Sequence, residues 1–153
     1  MAITERSNTN EEVEAAAERR ALIDSVVRPS FERFCAVGMD AFDDFYFGLG
    51  NRIPAVGSMF ASVDMEQQNQ LIRDGIADLI NFAYGSSKAE AELQRLAKSH
   101  SRSGLGIAPE HYPLWINSLM EVVRKHDDQA TDDTEAAWRE ILSDGIDLMI
   151  AGY

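Results

Sequence analysis

The chain has 153 residues, of which 45% are hydrophobic and 26% charged, a length and composition that suit one domain with a single core. Its 26 acidic and 14 basic residues give a net charge of −12, which disfavours nucleic acid and membrane lipid as partners because both are anionic. No apolar stretch is long enough for a transmembrane helix, and Met1 to Arg20 contain no apolar segment typical of a secretory signal. We therefore expect a cytoplasmic protein with neither of those partners. Cys35 is the single cysteine, which excludes an internal disulfide and a cysteine-based metal cage.

The N-terminal third predicts an extension followed by short helices. Residues 1–10 are polar and without pattern, which predicts disorder, and Asn10 to Arg20 are strong helix formers with little apolar face. We therefore assign residues 1–20 to a partly disordered or helical extension and residues 21–153 to one domain. A helical segment opens at Leu22, and Pro29 is expected to kink it.

The remaining segments all have helical periodicity. Pro54 predicts a short turn of helix that runs to Phe60, and Pro109 predicts the start of a later helix. Two further helices are expected to begin with capping boxes, which pair Asp64 with Gln67 and Ser87 with Glu90, and Asp132 and Glu135 open the last helix. Because no run alternates with a period of two residues, we predict an all-α fold without a sheet. The apolar stripe of the first core helix consists of Phe42, Phe45, Tyr46 and Leu49.

The three histidines are the candidate metal ligands. His126 lies in a charged turn and His111 in the first turn of a helix, so both are expected at the surface. His100 shares one helix face with Leu93 and Leu96, which precede it by seven and four residues. Taken alone, a histidine that closes an apolar stripe is more often a structural residue at a helix end than a ligand. No second histidine or carboxylate pair lies nearby at metal-site spacing, so a single ligand here would suit haem iron, whose other positions are filled by a macrocycle.

Other residues place His100 in a wider pattern. Tyr46 precedes Phe60 by fourteen residues, Pro54 lies between them, and His100 follows Gln67 by 33 residues. In this order and at this spacing, residues 22 to 153 resemble the globins, in particular bacterial single-domain haemoglobins and the globin domain of flavohaemoglobins. The segments that resemble the entries to the family's later helices are Met65 to Leu71, Pro109 to Pro113, and Ala130 to Asp133 with Trp138.

The resemblance implies a three-on-three helical sandwich that holds haem b, with the extension as a short extra helix. It makes His100 the proximal axial ligand of the iron, oriented through a backbone carbonyl of its own helix, for which Leu96, Lys98 and Ser99 are candidates. Tyr46 and Gln67 become the distal hydrogen-bond donors to a bound diatomic gas. The resemblance also assigns Phe60, Leu71 and Leu96 to the apolar walls and Tyr112 to the proximal side.

The chain departs from the flavohaemoglobin pattern in two respects. The family's proximal glutamate near the end of its last helix falls at Tyr153 here, and no acid lies within two positions. A peroxidase-like increase in the basicity of the proximal imidazole is therefore in doubt. There is also no dinucleotide-binding fingerprint, so electrons for steady turnover would have to come from a separate reductase.

Four functions remain open. The leading one is reversible binding of O2, NO and CO by a haem globin with no catalytic residue. The second is a gas or redox sensor that acts through a signalling partner, and the third is a haem-free globin fold that serves as an interaction module. The fourth is NO dioxygenation or peroxidation with an external reductase. For the oligomeric state, we consider a homodimer in addition to a monomer.

Overall fold

The computed structural model describes residues 2–153 of the chain, with side chains from Asn8 onward. No strand occurs within this range, as the helical periodicity predicts. Met1, the first residue of the segment predicted to be disordered, lies outside the described residues. The elements are α1 (Ala2–Leu22), a π-helical turn (Ile23–Val27), α2 (Arg28–Val37), α3 (Met39–Arg52), α4 (Pro54–Met59), α5 (Met65–Tyr84), α6 (Ser87–His100), α7 (His111–His126) and α8 (Asp132–Ala151).

Helix α1 is longer than the sequence pattern indicates. It begins at Ala2, whereas we predicted disorder over residues 1–10 and a lead-in helix from Asn10. The physical reason is that no glycine or proline interrupts the chain before Pro29, so the strong helix formers propagate toward the N-terminus. Every side chain from Asn8 to Ala15 is exposed. These eight residues of α1 therefore bury no side chain.

The distortion expected at Pro29 takes the form of a π-helical turn just before it. Proline lacks a backbone N–H and cannot continue the hydrogen-bond ladder to the carbonyl four residues earlier. The N–H of Arg28 donates instead to the carbonyl of Ile23, which widens the turn. Ile23 and Val27, at the two ends of this turn, are both fully buried. The irregular turn thus keeps both side chains in the core.

The helix caps agree with the sequence at one site and shift by one residue at two. Asp64 caps α5 as predicted, because its side chain accepts from the N–H groups of the following turn. Helix α6 is capped by Ser86 rather than Ser87, and α8 by Thr131 rather than Asp132. In each case two neighbouring residues can both cap, so the sequence alone does not distinguish them.

The core forms where α8 crosses α5 and α6. A methyl group on Gly145 of α8 would overlap the side chain of Leu79 in α5 and lie 3.2 Å from Leu93 in α6. The absence of a side chain at Gly145 therefore allows the close approach of these helices. Helix α3 packs on α7 and α4. None of the described helices is both long and apolar enough to cross a lipid bilayer.

Candidate functional site

A cavity of about 550 Å³ lies among α3 to α8. This volume is within the range of roughly 300–1,000 Å³ that is typical of pockets for organic ligands. Most of its lining is apolar, and several of the lining residues belong to the buried core. Apolar residues from six segments contribute, including Leu49, Ile53, Ile72, Leu93, Ile107 and Ile146.

The cavity brings together six of the seven residues that the sequence singled out. Tyr46 comes from α3, and the aromatic ring of Phe60 lies directly after α4. The others follow at Leu71 in α5, Leu96 and His100 in α6, and Tyr112 in α7. Leu71 is 58% exposed, so it lies at the mouth of the cavity rather than deep in its wall.

Gln67, the predicted distal donor, does not line the cavity. Its side chain is exposed, while its backbone N–H donates to Asp64 in the helix cap. The neighbouring Gln68 occupies the cavity wall together with Ile72, one turn later on the same face of α5. Since adjacent helical residues point about 100° apart, Gln68 rather than Gln67 is the glutamine that lines the cavity.

Tyr46 and Gln68 form a polar pair inside this otherwise apolar space. The hydroxyl of Tyr46 donates to the backbone carbonyl of Gln68 and accepts from Gln68 Nε2, both at 3.2 Å. The Tyr46 ring packs edge-on against Phe60, with ring centres 4.7 Å apart. Burial raises the pKa of Tyr46 to about 12, although the hydrogen bond with Gln68 opposes this rise. At neutral pH the hydroxyl is therefore a neutral donor.

His100 is the last residue of α6, and its ring orientation is defined by that helix. The backbone carbonyl of Leu96 lies 2.8 Å from His100 Nδ1, and the hydroxyl of Ser99 lies 3.2 Å from the same atom. Because a carbonyl oxygen only accepts, Nδ1 carries the hydrogen, and in the neutral ring Nε2 is the nitrogen with the lone pair. Leu96 was one of the three carbonyls proposed for this role. An imidazole fixed in this way is typical of a metal-ligating histidine.

The other two histidines lie in different surroundings. His126 Nε2 is 2.7 Å from the carboxylate of Asp44, in an ion-pair cluster that includes Lys125. His111 was expected at the surface but lines the cavity, and its Nδ1 is buried without a hydrogen-bond partner. The sequence signal that could have indicated this is Trp115, which also lines the cavity and lies one turn after His111 on the same face of α7.

The hydroxyl of Tyr112 lacks polar partners on its side of the cavity within the part of the chain that the structure describes. Burial raises the pKa of Tyr112, and its hydroxyl has no hydrogen-bond partner among the described residues. Tyr153, at the place of the family's glutamate, lies under the guanidinium of Arg102, which is 4.8 Å from its ring centre. The described residues thus give Tyr112 no carboxylate partner at this position.

One edge of the cavity is acidic. Asp74 and Asp78 of α5 and Glu92 of α6 all contribute to the lining. Burial raises the pKa of Asp78, and the nearby carboxylates of Glu92 and Asp74 raise it further. Arg95 lies at the same edge, but its Nη2 is engaged by Glu92 at 2.8 Å. This edge is therefore unfavourable for a further anion.

Comparison with known proteins identifies the family to which this architecture belongs. The sequence profile of the globin family matches residues 45–147, which make up two thirds of the chain. The matched range includes helices α4 to α7 in full. The chain belongs to the globin family. The predicted three-on-three globin fold is therefore confirmed, with the correction that the extra N-terminal helix is long rather than short.

This globin is also similar to a protein of known structure from Pseudomonas aeruginosa. The two share 37% sequence identity and superimpose with a TM-score of 0.77, over 90% of this chain and 98% of the other. The crystal structure of that protein is described as structurally highly homologous to a human haemoglobin. Among curated proteins, none matches this globin.

The loop after His100 leads to a first prediction, which concerns Gly104. A methyl group on Gly104 would overlap the carbonyl oxygen of Ser99 and lie 2.9 Å from its carbon. Ser99 immediately precedes His100, and its carbonyl already accepts from Leu105 at 2.9 Å. We expect Gly104→Ala to lower the free energy of unfolding by about 1–3 kcal/mol, as overpacking against backbone does, measured by urea denaturation.

The matched control for that variant is Gly75→Ala. A methyl group on Gly75 would meet no heavy atom within 4 Å, and the residue lies within α5. Its replacement should leave stability unchanged or raise it by up to about 1 kcal/mol, because alanine favours helix over glycine. If the two substitutions change the free energy of unfolding equally, the contact with Ser99 does not destabilise Gly104→Ala.

Proposed function

We propose that this globin binds haem b with His100 as the proximal ligand and reversibly holds O2, NO or CO at the iron. The observation that carries the proposal is the state of the His100 ring. Its Nδ1–H is bonded to Leu96, so the free lone pair of Nε2 belongs to a side chain that lines a large apolar cavity. That arrangement is the one expected of a histidine that ligates iron.

The residues around the cavity fit a macrocyclic cofactor. Haem is large, flat and mostly apolar, and the walls supply apolar side chains on several helices. Among the described residues, no three histidine, cysteine or acidic side chains gather as a metal cage. A single coordinating imidazole therefore suits a metal whose remaining ligands come from the macrocycle. Leu93 and Leu96 would contact the cofactor beside His100.

His100 is a better candidate for the proximal ligand than His111, although both line the cavity. The ring of His100 has a fixed tautomer because Nδ1 donates to a carbonyl. His111 has no such partner, since its Nδ1 is buried and unpaired. A ligating imidazole generally needs an acceptor at its second nitrogen to fix orientation and basicity. His100 alone of these two has one.

Tyr46 and Gln68 would stabilise the bound gas, whereas His100 would hold the iron. When bound, haem would supply an iron with an open position for a diatomic ligand. The Tyr46 hydroxyl can turn from the carbonyl of Gln68 toward a ligand in the cavity, and the Gln68 amide is a second donor within the same pair. Phe60 and Ile72 line the cavity beside these donors and would limit the access of water to them.

The surroundings of His100 favour ligand binding over peroxidase-like chemistry. A carboxylate partner would make the imidazole strongly basic, whereas a neutral carbonyl raises its basicity less. The acceptor at His100 is the carbonyl of Leu96. Tyr112 could contact the cofactor, but its hydroxyl has no carboxylate to orient it among the described residues.

The proposal is tested by gas release from the reduced, haem-loaded protein. We expect Tyr46→Phe to accelerate O2 dissociation about 5–30-fold, because it removes one hydrogen bond worth about 1–2 kcal/mol. CO dissociation should change much less, since CO carries little negative charge. Stopped-flow displacement of each gas provides the two rates, and equal rates for O2 in both proteins would contradict the assigned role of Tyr46.

A matched pair of glutamine variants tests the second donor. Gln68→Leu should also accelerate O2 dissociation, since it removes the amide beside Tyr46. Gln67→Leu changes an exposed side chain outside the cavity and should leave the rate as it is. The opposite result, with Gln67 sensitive and Gln68 insensitive, would restore the position predicted from the sequence.

A further inference from the structure

We infer that His111 is a further cofactor-binding residue, whose imidazole donates a hydrogen bond to a carboxylate group on the edge of the macrocycle. The inference rests on the proposed binding of haem, which carries two such carboxylates. It concerns a side chain that neither the sequence pattern nor the family resemblance assigns. One buried atom without a hydrogen-bond partner and the charges around the cavity support this role of His111.

The unpaired atom is Nδ1 of His111. It is buried and has no hydrogen-bond partner among the described residues, although the side chain belongs to the cavity wall. Leaving a buried polar atom unpaired is unfavourable, so natural proteins rarely do so without a reason. The His111 side chain as a whole is half-buried, in the first turn of α7. An imidazole in this position is available to a ligand.

The imidazole can present either nitrogen to the cavity. No hydrogen bond holds the ring of His111 in its present orientation. A half-turn about the Cβ–Cγ bond exchanges Nδ1 with Cδ2, so the donor can be directed toward a group in the cavity without movement of the helix. In its neutral form an imidazole still has one N–H to donate. Binding would thus satisfy a nitrogen that is now unpaired.

The distribution of charge makes His111 the available partner for an anion. Among the described residues that line the cavity, the basic side chains are Arg95, His100 and His111. Arg95 already pairs with Glu92, and His100 Nδ1 already donates to its own helix. His111 is the basic group that remains.

The acidic edge supports the same assignment. The carboxylates of Asp74, Asp78 and Glu92 lie on α5 and α6. They would repel a cofactor carboxylate placed beside them, because like charges at short range in a partly buried site are strongly unfavourable. His111 lies on α7, a different element of the wall. A carboxylate directed toward α7 therefore meets a donor and avoids the acidic edge.

The test compares haem with its dimethyl ester, in which both carboxylates are neutralised. Full-length wild-type protein, His111→Leu and His111→Asn are loaded with each compound, and transfer to excess apomyoglobin is followed by absorbance. We expect His111→Leu to accelerate loss of haem about tenfold, as expected for loss of one charge-assisted hydrogen bond. Loss of the ester should change little. His111→Asn retains an N–H near the same place and should show a smaller effect with haem.

The controls separate failure of this inference from failure of the proposed function. His126→Asn alters a histidine that pairs with Asp44 and does not line the cavity, so it should change neither rate. Equal acceleration for haem and ester in His111→Leu would show that His111 only packs, and no acceleration would show that it does not contact the carboxylates. Either result overturns the inference while haem binding stands. If wild-type protein takes up neither compound, the proposed function fails and the inference fails with it.

Discussion

Replacement of Asp127 by alanine should lower the free energy of unfolding by about 2–4 kcal/mol, because it removes one partner of a buried charged network. Asp127 is 1% exposed and follows α7 directly. Arg33 Nε donates to its carboxylate at 2.6 Å, and the hydroxyl of Ser30 donates at 2.6 Å. Ser30 in turn accepts from the indole N–H of Trp138 at 2.8 Å. The network thus ties α2 to the end of α7 and to α8.

The same carboxylate should make stability depend on acidity. Burial tends to raise the pKa of Asp127, but hydrogen bonds from Arg33, Ser30 and the N–H of Gln129, with the charge of Arg33, outweigh burial and hold the pKa below its usual value. A carboxyl group with a lowered pKa stabilises the folded protein above the pKa of the unfolded chain. Its contribution is lost as the pH falls through the folded-state pKa. The wild type should therefore lose stability in acid more steeply than Asp127→Asn.

Urea denaturation across the range from pH 7 to about pH 3 measures both effects. Asp132→Ala is the control, because Asp132 forms an ion pair with Arg124 at 2.8 Å while its side chain is 98% exposed. Exposed pairs contribute about 0–1 kcal/mol. If the two alanine variants lose equal stability, the buried network does not have the importance that its hydrogen bonds indicate.

The second large effect is expected for His100→Gly. Loss of a group that only supports a metal ligand typically weakens metal binding roughly 10–100-fold. Removal of the proposed iron ligand itself should weaken haem binding by more than this. It should also change the absorption spectrum of the ferric and ferrous protein. Competition for haem with apomyoglobin gives the change in affinity, and spectra recorded with and without imidazole give the change in ligation.

Chemical rescue distinguishes a lost ligand from a damaged fold. Free imidazole should enter the space left by His100 and restore a spectrum close to the native one. The matched control is His126→Gly, which removes an imidazole that pairs with Asp44 and does not line the cavity. A His100→Gly protein that keeps the native spectrum without imidazole would assign the iron to another residue.

The sequence predicts most of the fold because local signals and tertiary packing agree. The stripe from Phe42 to Leu49 and the cap at Asp64 both appear as expected. The start of α1 was predicted too late because this helix is weakly amphipathic and shows no apolar pattern. Its continuity depends instead on the absence of glycine and proline from the segment. The one-residue shifts at Ser86 and Thr131 reflect adjacent residues with equal capping ability.

The cavity lining was predicted better than the orientation of its polar groups. Tyr46 and His100 were found because their spacing matches the family resemblance and because each lies on an apolar helix face. Gln67 was chosen over Gln68 because both are glutamines and a shift of one residue costs nothing in the sequence pattern. The rotation of α5 against α3 places Gln68 rather than Gln67 beside Tyr46, as the bond between Tyr46 and Gln68 shows. His111 was missed because its burial depends on the loop that returns from α6 to α7.

Titration of the purified, full-length protein with haemin tests the central claim most directly. The proposal predicts a Soret band that rises linearly and stops at one haem per chain, and that shifts when the reduced protein is exposed to CO. Absorbance that rises without saturation, as for free haemin, or a complete absence of the Soret band would contradict it. In that case this chain would be a globin fold that has lost its cofactor.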